Sequence, residues 1–401
     1  MAREMKDSGV EWIGQIPEVW DLIRLKNCTI QINEKNTDLK MNNILSLSNK
    51  NGVTPYEDRG NQGNKSKEDL SEYKLAYKST IIANSMNILI GSVGISHYDG
   101  CVSPVYYVFK NNDNADLRFL NYIMQTTEFQ KQLKRYANGI LEIRLRVSYE
   151  DLVKQKVSLP PLSEQQKIAD FLDEKVKEID NAIEKTKETI ELYKKYKQAV
   201  ITETVTKGLD PNAEMKDSGV EWIGKVPKDW KLVKSKYVVT ITHGSDPMTS
   251  GKIPVYGSGG KSFRTCGEFK DGPCVLIGRK GATLNIPHYI IGKYWNIDTA
   301  FDVKTLTADI ELKYYYYLAT CFDYNSFITN TTLPSMTQAD YNSMIIPLPS
   351  RKIQMKIIDW LDEKCDYIDK LIEQENYLIL MIEDYKKSLI YEYVTGKKEV
   401  K

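Results

Sequence analysis

Apolar residues recur along two long stretches of the chain at alternating steps of four and three. Leu172, Val176, Ile179, Ile183, Thr186, Ile190, Tyr193, Lys197 and Val200 form one series. Leu361, Cys365, Ile368, Ile372, Glu375, Ile379, Ile382, Lys386 and Leu389 form the other. Such steps hold a seam on one helical face, and about four heptads of it favour a coiled coil over a single amphipathic surface helix. Pro160-Pro161 and Pro347 with Pro349 stand before the two helices, Ser163 and Ser350 are candidate N-caps, and Gly208 and Gly396 are candidate stops. Outside the seams the pattern is short-ranged. Residues 44–48, 80–83 and 104–109 read as strands between polar Gly/Asn-rich loops, and 117–133 and 311–322 as helices, the second turning most of its four consecutive tyrosines to core or surface.

The chain is also written twice. MKDSGVEWIG at 5–14 returns at 215–224, an offset of 210, and the match continues through Pro17/Pro227 and Trp20/Trp230. Asp170-Phe171-Leu172-Asp173-Glu174-Lys175 returns as Asp359-Trp360-Leu361-Asp362-Glu363-Lys364 at an offset of 189. The second copy is therefore 21 residues shorter, all of it lost between Trp230 and Pro347. A constant frame thus surrounds two diverged segments, roughly 21–158 and 231–346. The repeat predicts an α+β protein in four parts: a globular domain (1–158), a helix (159–208), a second domain (209–346) and a second helix (347–401).

Helix direction follows from connectivity. At about 1.5 Å per residue, ~44 residues span about 65 Å, so the first helix ends far from its own domain and next to the second. The second helix, if it packs on the first, must run back. An antiparallel pair results. Residues related by the repeat should then exchange roles, giving contacting pairs a constant sum of residue numbers; full overlap sets it at 561, Leu172 with Leu389 and Thr186 with Glu375.

With 401 residues, 55 basic and 54 acidic, the net charge of +1 announces no nucleic-acid partner, so any basic footprint must be local. Two local clusters exist. Between Phe129 and Arg146, Lys131, Lys134, Arg135, Arg144 and Arg146 face one acid, Glu142; Arg144 and Arg146 alternate with apolar residues and on one strand would share a face. From Lys252 to Lys280 six basic residues oppose two acidic ones, around Gly257-Ser258-Gly259-Gly260-Lys261 and Gly278-Arg279-Lys280-Gly281. Guanidinium forks suit guanine edges and phosphates, and glycines let backbone amides approach a phosphate. Ser258, Lys261, Arg264, Arg279, Lys280, Thr283 and His243 are accordingly candidate DNA contacts; as a solvated surface the same residues would need no partner.

Chemistry-bearing motifs fail on inspection. The phosphate-loop pattern would need glycine at Val255, no Asn/Asp-Pro-Pro-aromatic motif exists for base methylation, and Glu268-Phe269-Lys270 lacks the upstream Pro-Asp of nucleases that use E-x-K. His97, His243 and His288 lie far apart without ligand spacing, so a metal site is not expected. Six scattered cysteines without a C-x-x-C pair, no apolar N-terminal run and no ~20-residue apolar stretch point to a cytoplasmic chain with reduced thiols and no membrane contact.

The opening motif Ser8-Gly9-Val10-Glu11-Trp12-Ile13-Gly14 with Pro17 and Trp20, its second copy, and Leu159-Pro160-Pro161-Leu162-Ser163-Glu164-Gln165-Gln166 resemble the specificity subunit of type I restriction–modification systems over essentially the whole chain. Ile253 to Gly257 and Leu276 to Gly281 resemble one common type of target-recognition domain. The second copy departs at Pro349-Ser350-Arg351-Lys352-Ile353-Gln354, where the glutamate equivalent to Glu164 is lost. The resemblance implies that each diverged segment reads half of a bipartite site in double-stranded DNA. It implies an antiparallel coiled coil that sets the spacing and docks two modification subunits. Restriction subunits would join the full complex, and S-adenosylmethionine, ATP and Mg²⁺ would bind partners while this chain stays non-catalytic. A fused nuclease or methylase fragment and a structural coiled-coil adaptor are the competing readings.

Overall fold

The computed structural model describes residues 3–49, 51–59, 69–138, 145–328 and 334–400. The chain divides into two compact units, residues 1–185 with 378–401 and residues 186–377. Seven helices are described: α1 (Leu117–Gln125), α2 (Thr127–Lys134), α3 (Tyr149–Val153), α4 (Leu162–Lys207), α5 (Leu312–Ala319), α6 (Gln338–Ser343) and α7 (Arg351–Val394). Both unit boundaries fall inside the long helices α4 and α7, so each unit takes one globular domain with roughly half of each helix.

Unit 1 is built on an antiparallel sheet in the order Thr29–Ile32, Tyr106–Asn111, Ile81–Asn84, Val93–Ile95. Alternation along its strands makes two cores. Ile81, Ala83 and Phe109 face α1 and α2, packing on Phe119, Leu120, Ile123 and Phe129. Ile82 and Val108 face the other way, onto Leu45, Leu47, Val53, Ala76 and Val102. Unit 2 repeats the sheet as Val239–His243, Ala300–Thr305, Cys274–Gly278, His288–Ile290. Val275, Ile277, Phe301 and Val303 pack on the α5 tyrosines, while Cys274, Leu276 and Ile290 pack with Tyr294 on the opposite side.

The diverged segments therefore share one strand plan. Phe109 pairs with Ile81 as Val303 pairs with Val275, an offset of 194. Ala76 pairs with Gly100 as Lys270 pairs with Tyr294, at the same offset. Even the parallel bridge of Ile44 to Cys101 has its counterpart in Val255 with Trp295. The missing length lies in two places. Residues 56–73, between the strands Gly52–Pro55 and Lys74–Ala76, correspond to 267–269 between Arg264–Cys266 and Lys270–Asp271. And α2 of unit 1 is replaced, among the described residues of unit 2, by a single turn at Tyr324–Ser326.

The frame is repeated down to individual hydrogen bonds. Gln165 is fully buried; its Oε1 accepts the Asp116 amide at 2.8 Å while its Nε2 donates to the carbonyls of Pro160 (2.8 Å) and Asn114 (3.0 Å). Gln354 does the same with Glu311 (2.8 Å), Pro349 (2.9 Å) and Asp309 (2.8 Å). Asp173 takes a hydroxyl from Tyr122 and a cation from Arg118; Asp362 takes the same from Tyr317 and Lys313. These bonds fix the first helix of each recognition segment to the start of its long helix. The departure noted at Glu164 is local. In unit 1 this carboxylate joins Arg3 (2.7 Å) and Trp20 Nε1 (3.0 Å); its counterpart Ile353 packs against the unit 2 core.

The long helices pair antiparallel within each unit. In unit 1, Ile168 and Leu172 pack with Leu389, Ile390 and Val394, and Phe171 stacks on Tyr393 at 4.5 Å. In unit 2, Ile201 and Val205 pack with Ile357, Ile358, Leu361 and Cys365. Every expected seam position is buried or half-buried, including Val176, Ile179, Ile183, Thr186, Ile190, Ile368, Ile372, Glu375, Ile379 and Ile382. The polar seam lysines are explained by ion pairs. Lys386 meets Asp180 at 2.7 Å in unit 1, and the repeat-related Lys197 meets Asp369 at 2.6 Å in unit 2. Both ion pairs add to 566, while Phe171–Tyr393 adds to 564 and Tyr196–Lys364 to 560, so the sum is not constant and three of these four contacts lie above the expected 561.

Gly208 and Gly396 end the helices with φ of +77° and +74°. A Cβ on Gly396 would stand 2.4 Å from Pro17, and one on Gly208 3.0 Å from Trp230, so each helix end closes on a copy of the opening motif. Two expectations need correction. The helix read over 117–133 is broken at Thr126, whose extended ψ of 140° lets its hydroxyl cap α2 at Phe129. And α4 starts at Leu162, which puts Ser163 inside the first turn, whereas Ser350 does precede α7.

Candidate nucleic-acid interface

In unit 2 the Gly-rich segment 257–260 follows the strand Ile253–Tyr256, and the turn 279–283 follows the strand Cys274–Gly278. The two loops touch. Thr283 donates its hydroxyl to Ser258 Oγ at 3.3 Å, and a Cβ on Gly281 would stand 3.2 Å from the same oxygen. Arg279 is held rather than free: its Nη1 donates to the Asp298 carbonyl at 3.0 Å and lies 3.4 Å from that residue's carboxylate. Lys280 reaches the same carboxylate at 3.6 Å, and both amides donate to the Thr299 carbonyl. Ser258, Arg279, Lys280 and Thr283 are thereby brought together. Such pairing orients a guanidinium without consuming all five of its donors.

The other unit 2 candidates make no side-chain bond to that cluster among the described residues. Lys261 is exposed, and Arg264 is ion-paired with Asp246. His243 is exposed at the end of its strand, with its ring edge-on to Phe301 at 4.8 Å. Beneath the loops His288 crowds Gly260, its imidazole 2.1 Å from where a Cβ would be built, which together with φ of +66° admits glycine alone. Burial holds the His288 imidazole below its usual pKa, and its Nε2 is buried without a hydrogen-bond partner.

Glu268 and Lys270 are occupied structurally. Glu268 accepts the amides of Met248 (2.7 Å) and Thr249 (3.0 Å), and hydrogen bonding from Thr249 lowers its pKa. Lys270 pairs with the buried Asp302 at 2.7 Å and donates to Asn296 at 2.8 Å; Asp302 also receives Thr242 at 2.6 Å and Tyr294 at 3.1 Å. The thiols of Cys28 and Cys274 are pushed up to about 12 by burial.

In unit 1 the amphipathic α2 buries Phe129 and Leu133 and exposes Lys131 and Lys134. Arg135, at its end, pairs with Glu11 of the opening motif at 2.8 Å. Arg146 is exposed, bridged through its backbone to Asn138 rather than lying in a strand; Arg144 lies outside the described residues. Sequence reasoning missed a cleft of about 570 Å³, to which five basic residues, Arg24, Lys26, Arg135, Lys154 and Lys156, and two acidic ones, Glu11 and Asp151, contribute beside Trp12. Its residues come from several elements. The available signal was in the repeat, where Arg24 and Lys26 correspond to Lys234 and Lys236.

Among the described residues no cluster of His, Cys, Asp and Glu could hold a metal ion, and no helix is long and apolar enough to cross a membrane. The family model described as the type I restriction modification DNA specificity domain matches residues 17–192 and 227–381. The type I restriction enzyme MjaVIII specificity subunit of Methanocaldococcus jannaschii is 24% identical, over 96% of this chain and 95% of that protein. A putative MjaX specificity subunit from the same organism is also 24% identical, over 97% and 96%. A chain from a structural study of complex assembly and conformational transition in a type I restriction–modification system superimposes with a TM-score of 0.74 at 14% identity, covering 96% of this chain and 99% of that one. The HsdS subunit from Thermoanaerobacter tengcongensis superimposes with a TM-score of 0.52 at 13% identity, over 98% and 100%.

Proposed function

The chain belongs to the type I restriction–modification DNA specificity family, and on that premise we propose that its two units read the two halves of one bipartite DNA site. The carrying observation is the contrast between frame and heads. Gln165 and Gln354, and Asp173 and Asp362, make the same bonds in both units, whereas the loops above them differ in length and charge. Identical frames suit two copies of one modification subunit; unlike heads suit an asymmetric DNA sequence. The paired helices then set the separation of the half-sites and carry the modification subunits, with restriction subunits completing the assembly.

In unit 2 the reading surface is the paired-loop cluster of Ser258, Arg279, Lys280 and Thr283, flanked by His243, Lys261 and Arg264. In unit 1 it is α2 with Lys131, Lys134 and Arg135, together with Arg144 and Arg146. This chain acts without catalysis of its own. S-adenosylmethionine, ATP and Mg²⁺ are assigned to the partner subunits. In support, Glu268 and Lys270, the pair most like a nuclease motif, are committed to loop and core contacts. Mapping of methylated sites in cells carrying Arg146→Ala or Arg279→Ala tests the assignment. Each should relax one half-site and spare the other; an unchanged motif in both would mean that the reading surfaces lie elsewhere.

A further inference from the structure

The cleft in unit 1 is a place where the frame is duplicated only in part: Arg24 and Lys26 return as Lys234 and Lys236, whereas Lys154 and Lys156 have no basic counterpart. Arg24 and Lys156 are direct partners across the antiparallel ladder of Asp21–Arg24 with Lys156–Leu159, and both are exposed. Like charges opposite one another weaken a strand pair. In unit 2 the same rungs carry Lys234 opposite Ile345, and Lys154 is replaced by Ser343. Among the described residues, Arg24, Lys26 and Lys156 carry no ion pair. Trp12, 8% exposed, lines the same cleft, and its Nε1 is buried without a hydrogen-bond partner. A self-repelling cationic rung beside an unused donor is the arrangement expected where an anion from outside completes the structure.

We infer that this cleft binds backbone phosphates of the DNA, making unit 1 the electrostatic anchor of the complex. The inference rests on the reading of unit 1 as a DNA-binding head. The cleft continues from Arg135 onto the exposed Lys131 and Lys134 of α2, a helix that unit 2 lacks among its described residues. A partner subunit docking twice would call for the charge in both copies; the cleft's extra cations occur once. Four cations of unit 2's loops are instead neutralised internally, Arg264 by Asp246, Lys270 by Asp302, and Arg279 and Lys280 by Asp298; those that stay unpaired among the described residues, such as Lys234, Lys236 and Lys261, have no second cation opposite them on a strand rung. Phosphate contacts made from unit 1 hold the duplex whatever its sequence.

The test measures DNA affinity against salt for the chain assembled with modification subunits, on one duplex containing the methylated motif and one lacking it. Each phosphate contact contributes about −0.9 to the slope of log affinity against log salt. Arg24→Gln with Lys26→Gln and Lys156→Gln should flatten the slope by roughly two to three on both duplexes, leaving the methylated motif and the assembly with modification subunits unchanged. Lys234→Gln with Lys236→Gln should leave the slope nearly unchanged. Lys156→Ile alone, copying unit 2, should raise the melting temperature of the chain while flattening the slope by about one. An unaltered slope in the triple variant, an equal effect of the unit 2 pair, no rise in melting temperature, or loss of subunit assembly with the slope retained (an acidic protein segment in the cleft) would each overturn the proposal. Failure of the unaltered complex to bind either duplex would instead overturn the DNA-binding reading beneath it.

Discussion

Unit 1 and unit 2 hang different surfaces on the same strand plan. In unit 2 four basic residues of the recognition segment are met by aspartates: Asp246, Asp298 and Asp302 hold Arg264, Arg279 with Lys280, and Lys270, while Lys252, Lys261 and Lys293 carry no ion pair among the described residues. In unit 1, Arg24, Lys26, Lys131, Lys134, Arg146 and Lys156 carry no ion pair among the described residues. Paired cations have fixed directions and low net charge, which suits reading particular base edges. Unpaired ones attract any phosphate, and their strength depends on salt. On the proposed reading, this difference lets a near-neutral chain divide affinity and specificity between its two halves.

The largest expected effect attacks the internal pairing of unit 2. Asp302 is buried with Lys270, Thr242 and Tyr294 around it, so Asp302→Ala leaves an ammonium without its partner. Breaking a buried pair from one side costs about 3–5 kcal/mol. Calorimetry should show unit 2 losing stability while unit 1 is unaffected; a small loss would mean that the pairing is ornamental.

Next come the frame glutamines. Gln165→Ala and Gln354→Ala each remove three hydrogen bonds to the backbone and strand one buried carbonyl, that of Pro160 or Pro349, at roughly 1–3 kcal/mol for the buried group. The two losses should be alike when measured by denaturant unfolding. Markedly unequal losses would break the claim that the frame is physically repeated.

The frame was legible in the sequence because its information is local: ten consecutive identities, heptad steps, and glycines after each helix. The tyrosines of α5 were legible as core for the same reason, and Tyr314, Tyr315 and Tyr317 are buried there. The shared strand plan of the heads was not legible. A strand asks for alternating apolar residues, which Ile81 and Val275 satisfy with no further likeness around them, and the offset shifts to 194 between the strand ending at Pro55 and the one beginning at Lys74. Nor could the pairing of Arg279 with Asp298 be read, since residues 19 apart meet through sheet topology. The basic clusters were visible as composition; whether their charges are free or neutralised needed the fold.

At the level of recognition, Arg279→Ala removes a held guanidinium, and a bidentate contact to guanine is worth about 1–3 kcal/mol of discrimination. Binding competition between matched and mismatched half-sites should show the loss in one half. A uniform loss across sequences would demote Arg279 to a phosphate contact and blur the contrast between the units.

The smallest effect is in pH. Burial depresses the pKa of His288, so the unfolded chain binds this proton more readily than the folded one. Its contribution to stability is therefore full above the unfolded value near 6.5 and declines as pH falls through it. Melting of unit 2 between pH 7.5 and 5.5 should fall, and His288→Gln should flatten that dependence. An unchanged dependence would remove the histidine from the account.

The central claim, that one frame carries two independent readers, is tested most directly by replacing residues 21–158 with the chain's own residues 231–347, which keeps the strand register at both ends, and mapping the methylated motif. The account predicts a site in which the half read by unit 1 is replaced by a second copy of the half read by unit 2, at an unchanged separation. Methylation in which the unit 2 half-site is also altered would contradict it.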